Sequence, residues 1–366
     1  MKRIAAILLA LIMAFTMISC AKDGGSTADT KTQTSEGGTT AGKTDDKSDK
    51  AGDFDPSEYP VAICMSVMNH PVHRIVQLGF LKAAEKLGYT NAKVIGTEGS
   101  DNSEVYAAAE AFAAEGGKGI LLWAGDSSAF ETVASLASQG VVVGIPHFDL
   151  RQDGELPEGL KFNMACDPVL YGKQVAELMA EKLAGKSGSI AITQNTKNVT
   201  ENAAADSFRS TFEGLQAQND DLKNIKVLPV ELEGAQVDSA TAVNLGIIQA
   251  NPDIIAAFGT TGNSPITWAD AATKAGYKDG DILIVGMDAT EGNLNYLEEG
   301  KVAALVAQPL YQEAYLTMEY LDKVFRGEEV PQWTDLEAPI VTVDGEGENG
   351  IEYHKAIAEE VKTFFK

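Results

Sequence analysis

From Val61 onward, short apolar runs alternate with longer amphipathic stretches. A strand opening at Val61 leads through a loop at residues 68–73 into an amphipathic helix ending near Tyr89. Further strands are predicted at 92–96 (AKVIG), 119–123 (GILLW), 141–146 (VVVGIP), 189–194 (SIAITQ), 226–232, 254–259 (IIAAFG), 282–287 (ILIVGM) and 302–307 (VAALVA). Helical patterns fall between them, at 103–115, 129–138, 171–183, 203–216, 239–249, 265–275, 294–299 and 311–325. The runs are apolar at successive positions instead of alternating, so both faces of each strand are buried, as in a parallel sheet covered by helices on both sides. Residues 331–343 read as extended and 353–365 as a final helix. The grammar occurs twice, in two doubly wound halves, and ligands on such sheets bind beyond the carboxyl ends of the strands.

The first 57 residues break this pattern. Lys2 and Arg3 precede an apolar run from Ile4 to Ile18 that is short for a membrane span and sits where an export signal belongs. The run closes on Met17-Ile18-Ser19-Cys20, which resembles a bacterial lipobox and implies cleavage before Cys20 and lipid attachment to its thiol. Residues 21–57 are rich in Gly, Ser, Thr, Asp and Lys and lack the apolar content needed to offset ordering entropy, so a flexible tether is predicted. The other cysteines, Cys64 and Cys166, fall in apolar surroundings and are expected to be free core thiols.

Charge narrows the function classes. Asp plus Glu number 53 against 29 Lys plus Arg, giving a net charge of −24, which opposes a nucleic-acid surface. Neither G-x-S-x-G nor H-E-x-x-H occurs, and scattered carboxylates do not define a glycosidase. The expectation is a non-enzyme without a cofactor. A repressor is excluded by the export signal and the lack of an N-terminal helix-turn-helix pattern.

Several segments, in order, carry a resemblance. AAAEAFAAEGGKGILLWAGD, ANPDIIAAFGTTGN, ILIVGMDAT and VAALVAQPLYQEAYLTMEYLDKVFRGE, with the strand–loop–helix at 61–89, resemble the type I periplasmic binding proteins of sugar ABC transporters, the ribose and galactose class. The likeness runs from about residue 60 to 345. It implies two doubly wound parallel-sheet lobes joined by a three-crossing hinge, with crossings near 163–166, 307–309 and 333–339. The N-terminal lobe would hold 58–164 and 309–334, and the C-terminal lobe 165–308 and 335–366. It further implies a monomer outside the cytoplasm, anchored to the bacterial membrane only through its lipid. Such a protein delivers a small carbohydrate-like solute to an ABC permease, and closure around the solute is a hinge motion.

The resemblance also places candidate ligand residues. The family commonly has Asn-Pro-Phe-Phe in the first loop; here His70-Pro71-Val72-His73 stands there, so Asn69, His70 and His73 become polar contacts in place of stacking rings. Trp123 ends its strand and offers an aromatic face. Asp149 lies near the family's Asp-Arg pair, with Leu150 where the arginine is expected and Arg151 one position further. In the second lobe Asn202 lies in the turn before a helix whose usual arginine falls at or beside Phe208, with Arg209 next door. Thr261 and Asn263 replace an Asn-Asp pair. Asp288 and the hinge residue Gln308 match directly. A metal alternative would gather His70, His73, His147 and Asp149. The departures leave the ligand open among a sugar, nucleoside, autoinducer-like furanose or sugar acid. The role is likewise open between import and a sensor feeding a membrane receptor or kinase.

Overall fold

A computed structural model describes residues 54–366, with 100, 124, 126–127, 151–155 and 197–198 excepted. The export signal, Cys20 and most of the tether lie outside the described residues.

The chain forms β1 (Val61–Met65), α1 (Pro71–Leu87), β2 (Ala92–Gly96), α2 (Asn102–Ala114), β3 (Gly119–Trp123), α3 (Ala129–Ser138), β4 (Val142–Pro146) and β5 (Phe162–Cys166). The pattern then repeats: α4 (Pro168–Leu183), β6 (Gly188–Gln194), α5 (Val199–Gln216), β7 (Ile225–Leu232), α6 (Val237–Ala250), β8 (Ile254–Gly259), α7 (Ser264–Lys274), β9 (Leu283–Met287), α8 (Glu291–Glu298) and β10 (Ala304–Val306). The end of the chain adds α9 (Leu310–Phe325), β11 (Trp333–Leu336), β12 (Ile340–Val341) and α10 (Ile351–Phe364).

Among the described residues the strands make two sheets, in the orders β11-β5-β4-β3-β1-β2 and β12-β10-β9-β8-β6-β7. Apart from the last strand of each, the second order is the first shifted by five, so one topology is built twice. All pairings are parallel except β12 with β10. Val61 pairs with Ala92 on one side and Gly119 on the other, placing β1 centrally and explaining why every residue of VAICM is buried.

Helix packing relies on two glycines. A Cβ on Gly79 of α1 would lie 2.2 Å from the Tyr311 carbonyl oxygen of α9, and one on Gly172 of α4 would lie 2.3 Å from that of Ala204 in α5. The backbones approach because nothing larger stands between them. Thus α9 docks on the first sheet, its Leu310, Ala314, Met318 and Leu321 joining Val61, Ile63, Met65 and Phe80 in one core.

Three local expectations change. Asn202 lies not in a turn but in the first turn of α5, which begins four residues earlier than the pattern implied. Cys166 ends β5 in the first sheet, two residues past the expected lobe boundary. The final helix reaches both lobes: Glu360 pairs with Lys82 of α1 at 2.8 Å, while Lys355 and Lys362 pair with Glu298 and Glu291 of α8 at 2.6 and 3.0 Å. Cys64 and Cys166 are buried and free. No helix among the described residues is long and apolar enough to cross a membrane.

Candidate functional site

Among the described residues three non-glycines adopt left-handed backbone: Val67 (φ 45°), His147 (φ 77°) and Asp288 (φ 67°). Each lies within two residues of the carboxyl end of a strand, β1, β4 and β9 respectively. A side chain with a Cβ rarely sits there, at about 1–3 kcal/mol apiece, and such strain concentrates at binding sites. These strand ends are where a doubly wound sheet binds ligand.

His147 is fixed from several sides. Its ring stacks on Trp123, with centroids 4.5 Å apart and planes 13° from parallel, and Phe148 meets both rings edge-on. Its Nδ1 donates to Glu313 Oε2 at 3.0 Å, and its backbone N–H donates to the Met164 carbonyl. Buried Asn163 clasps the loop, donating to the Ile145 and Phe148 carbonyls at 2.9 and 2.8 Å and accepting from the Leu150 N–H at 3.1 Å. Burial opposes a charge on His147, but Glu313, through its charge and hydrogen bond, and Asp288 outweigh it and raise the imidazole above its ordinary value.

Asp288 meets this group from the second lobe. It is 5% exposed, and its carboxyl is pushed up to about 7 by burial, against the pull of His147 and reinforced by Glu313 and Glu201. Asn293 donates to the Gly262, Met287 and Asp288 carbonyls at 2.8, 3.0 and 2.8 Å, which holds the strand end and the neighbouring loop together. A Cβ on Gly262 would lie 2.4 Å from Asp288 Oδ2, so a larger residue there would push the carboxylate aside. Asp288 Oδ1 and Glu313 Oε1 are buried without a hydrogen-bond partner among the described residues. Buried acceptors are normally paired, so two orphans in one cluster point to an outside donor.

The sequence candidates divide around this centre. Asn69 is exposed and held in a surface network, donating to both Glu98 oxygens at 2.8 and 2.7 Å and accepting from Arg74. His70 caps α1 by accepting from the Val72 N–H. His73 comes closer: its Nδ1 donates to the Ser66 and Val67 carbonyls at 2.8 and 3.1 Å, and its ring lies edge-on to Trp123. Burial holds its pKa down to about 4, leaving a neutral ring with Nε2 as acceptor. Trp123 is 3% exposed, so it packs beneath His147 more than it offers an open face.

Asp149 is exposed; the residue at the end of β4 is His147, two positions earlier. Asn202 is also exposed, whereas its neighbour Glu201 turns inward, accepting from the Asn195 N–H at 2.6 Å and from Thr260 at 3.3 Å. Asn263 donates to the Ala235 carbonyl at 2.9 Å, and Thr261 beside it is half-buried. Their loop rests on a buried network in which Asn244, Ser264 and Thr267 all donate to Glu233. Gln308 donates to Cys166 Sγ at 3.6 Å, bridging two of the hinge segments.

Glu313 was not among the sequence candidates, yet it was visible there. It is a fully buried carboxylate on the apolar stripe of α9, between Leu310 and Ala314. The proposed metal set does not assemble: Asp149 is exposed and His147 is bonded to Glu313, and no group of three potential ligands converges among the described residues. A cavity of about 330 Å³ lies elsewhere, between β7 and α6, lined by Leu228, Val243 and Ile247 among others.

A family model for a periplasmic binding protein domain matches residues 61–329. The ribose import binding protein RbsB of Escherichia coli (strain K12) is 27% identical over 272 residues, covering 74% of this chain and 86% of that protein. Its Haemophilus influenzae counterpart is 24% identical over 284 residues, covering 77% and 91%. Among solved structures, a sugar-binding protein of a sugar ABC transporter from Bacillus halodurans superposes with a TM-score of 0.69 at 21% identity, covering 81% of this chain and 99% of that one. An Agrobacterium vitis solute-binding protein with bound D-fucose gives 0.68 at 20% identity, covering 80% and 99%. With two equivalent parallel-sheet lobes and a family match across most of its length, this chain belongs to the periplasmic binding protein family.

Proposed function

We propose that the chain is the lipid-anchored, extracytoplasmic solute-binding protein of an ABC importer, and that it binds a sugar or sugar-like solute between its lobes. The observation that carries this reading is the meeting of His147 and Asp288, at strand ends of the two sheets, with Glu313 of α9, two buried carboxylate oxygens being left without donors among the described residues. Sugar hydroxyls supply such donors. The relatives named for ribose import, and the neighbour solved with D-fucose, support the same class of solute. Binding is by hydrogen bonding and lobe closure, with Gln308 and Glu313 reporting closure because they sit beside or on the returning α9. The protein acts as a monomer and hands its cargo to a membrane permease.

A thermal-shift screen of monosaccharides, polyols and nucleosides tests this. A ligand at a hundredfold excess over its Kd stabilises by about 2.7 kcal/mol, or roughly 4 °C for a chain of this size. Asp288→Ala and Gln308→Ala are each expected to abolish that shift while the ligand-free proteins melt cooperatively. Normal binding by both variants would show that the site lies elsewhere.

A further inference from the structure

The unpartnered groups around the site share one chemical character. Asp288 Oδ1, Glu313 Oε1 and Asn293 Oδ1 are all acceptors, all buried, and all lack a donor among the described residues. His73, with Nδ1 committed to two carbonyls, adds Nε2 as a further acceptor. The charges acting on Asp288 are His147, Glu313 and Glu201, and no lysine or arginine of the described residues is among them. The same holds for His147, which feels Glu313 and Asp288. Where the resemblance places arginines that grip a sugar, this chain has Leu150 and Phe208, both buried and apolar; the neighbouring Arg209 donates to the Val227 and Leu228 carbonyls, and Arg151 lies outside the described residues.

Resting on the reading of a sugar-type solute, we propose that the site selects a ligand carrying a protonated amine, an amino sugar or aminated polyol, which it seats against Asp288 and Glu313. An ammonium group brings three donors and one positive charge to a place with an excess of acceptors and negative charge. A carboxylate-bearing sugar brings the opposite and is rejected, because it would stand buried beside Asp288, Glu313 and Glu201, and the one cationic group among the described residues that acts on Asp288, His147, is already paired with Glu313. A neutral sugar supplies the donors but not the charge.

Five neighbours surround Asp288 electrostatically: His147 from the end of β4, Glu313 from α9, Glu201 from α5, Tyr171 from α4 and Cys166 from the end of β5. Burial raises the last two well above their ordinary values, so they stay neutral near pH 7. As pH rises from 5 toward 7, Asp288 begins to ionise, which makes the site more negative, so preference for the amine strengthens over that interval.

The experiment titrates the intact protein calorimetrically with matched trios: D-glucose, D-glucosamine and D-glucuronate, and D-galactose, D-galactosamine and D-galacturonate. In at least one trio the amine is expected to bind about 10- to 100-fold tighter than the hydroxyl parent near pH 7, the uronate not measurably. The ratio should fall toward pH 5. Asp288→Asn should reduce the ratio toward one, and the pH dependence of the unmutated protein gives the same information should that variant fail to fold. Equal affinity for hydroxyl and amine partners, or tightest binding of a uronate, overturns the proposal and leaves the sugar-binding reading intact. If no member of either trio binds but other neutral sugars do, the amine proposal again fails alone. Binding of nothing among amino sugars, neutral sugars and polyols overturns both.

Discussion

Replacing Asp288 with asparagine is expected to stabilise the ligand-free protein, and to do so only on the alkaline side. The carboxyl is pushed from 3.8 up to about 7 in the folded state, with burial the leading cause. Between those values the folded chain holds a proton that the unfolded chain has released. Stability therefore falls as pH rises through that window. At about 1.4 kcal/mol per unit, the whole penalty is about 4 kcal/mol, of which about 3 kcal/mol develops between pH 5 and 8. Asparagine matches the shape, cannot ionise, and tolerates the left-handed backbone that Asp288 adopts. Thermal melts of the two proteins at pH 5 and 8 isolate this residue, because the other titrating groups are common to both. With an unfolding entropy near 2.1 cal/mol/K per residue over about 300 residues, 3 kcal/mol corresponds to about 5 °C. The melting difference should open in favour of the variant by up to that amount at pH 8 relative to pH 5. A difference that does not change with pH, or that favours the wild type at pH 8, would refute the claim that Asp288 is a buried acceptor awaiting a donor.

Other consequences are equally concrete. Gly79→Ala forces a Cβ against the Tyr311 carbonyl at 2.2 Å, so a loss of about 1–3 kcal/mol is expected in urea unfolding, far more than at exposed Gly214 in α5. His73, held near 4 by burial, gives stability that drains away as pH falls from about 6.5 toward 4. His73→Gln should therefore cost less at pH 4.5 than at pH 7, and an unchanged difference would mean that His73 is solvated. Asn163→Ala frees the loop bearing His147 and Phe148, and should weaken solute binding severalfold in titration while the melt stays cooperative. Cys20→Ser should move the protein from the membrane fraction to the soluble extracytoplasmic fraction, and should abolish labelling by a radioactive fatty acid.

The sequence was a good guide wherever burial dictates residue type. The apolar runs at β1, β3, β8 and β9 could be placed almost to the residue, since a strand buried on both faces admits nothing else. Asp288 was legible for the same reason: a carboxylate that closes an apolar run stands out. His147 was harder to see because what singles it out is its φ of 77°, and that depends on Asn163 and Met164 from a strand that begins only after the intervening loop. The resemblance pointed to Asp149, two positions further along the loop, which is exposed. In the first turn of α5, Asn202 and Glu201 differ only in which side of the helix they occupy, so an error in the helix start chose the exposed one. Glu313 shows that the rule works in reverse, since a charged residue on a buried stripe marks a polar centre even when no motif names it.

The claim that the solute sits between His147, Glu313 and Asp288 is tested most directly by a crystal structure with whichever compound gives the largest thermal shift. The account predicts the compound donating hydrogen bonds to Asp288 Oδ1 and Glu313 Oε1, which are buried acceptors without a partner among the described residues. A compound bound instead in the cavity between β7 and α6, or on the Asn69 surface, with both oxygens still unpartnered, would contradict it.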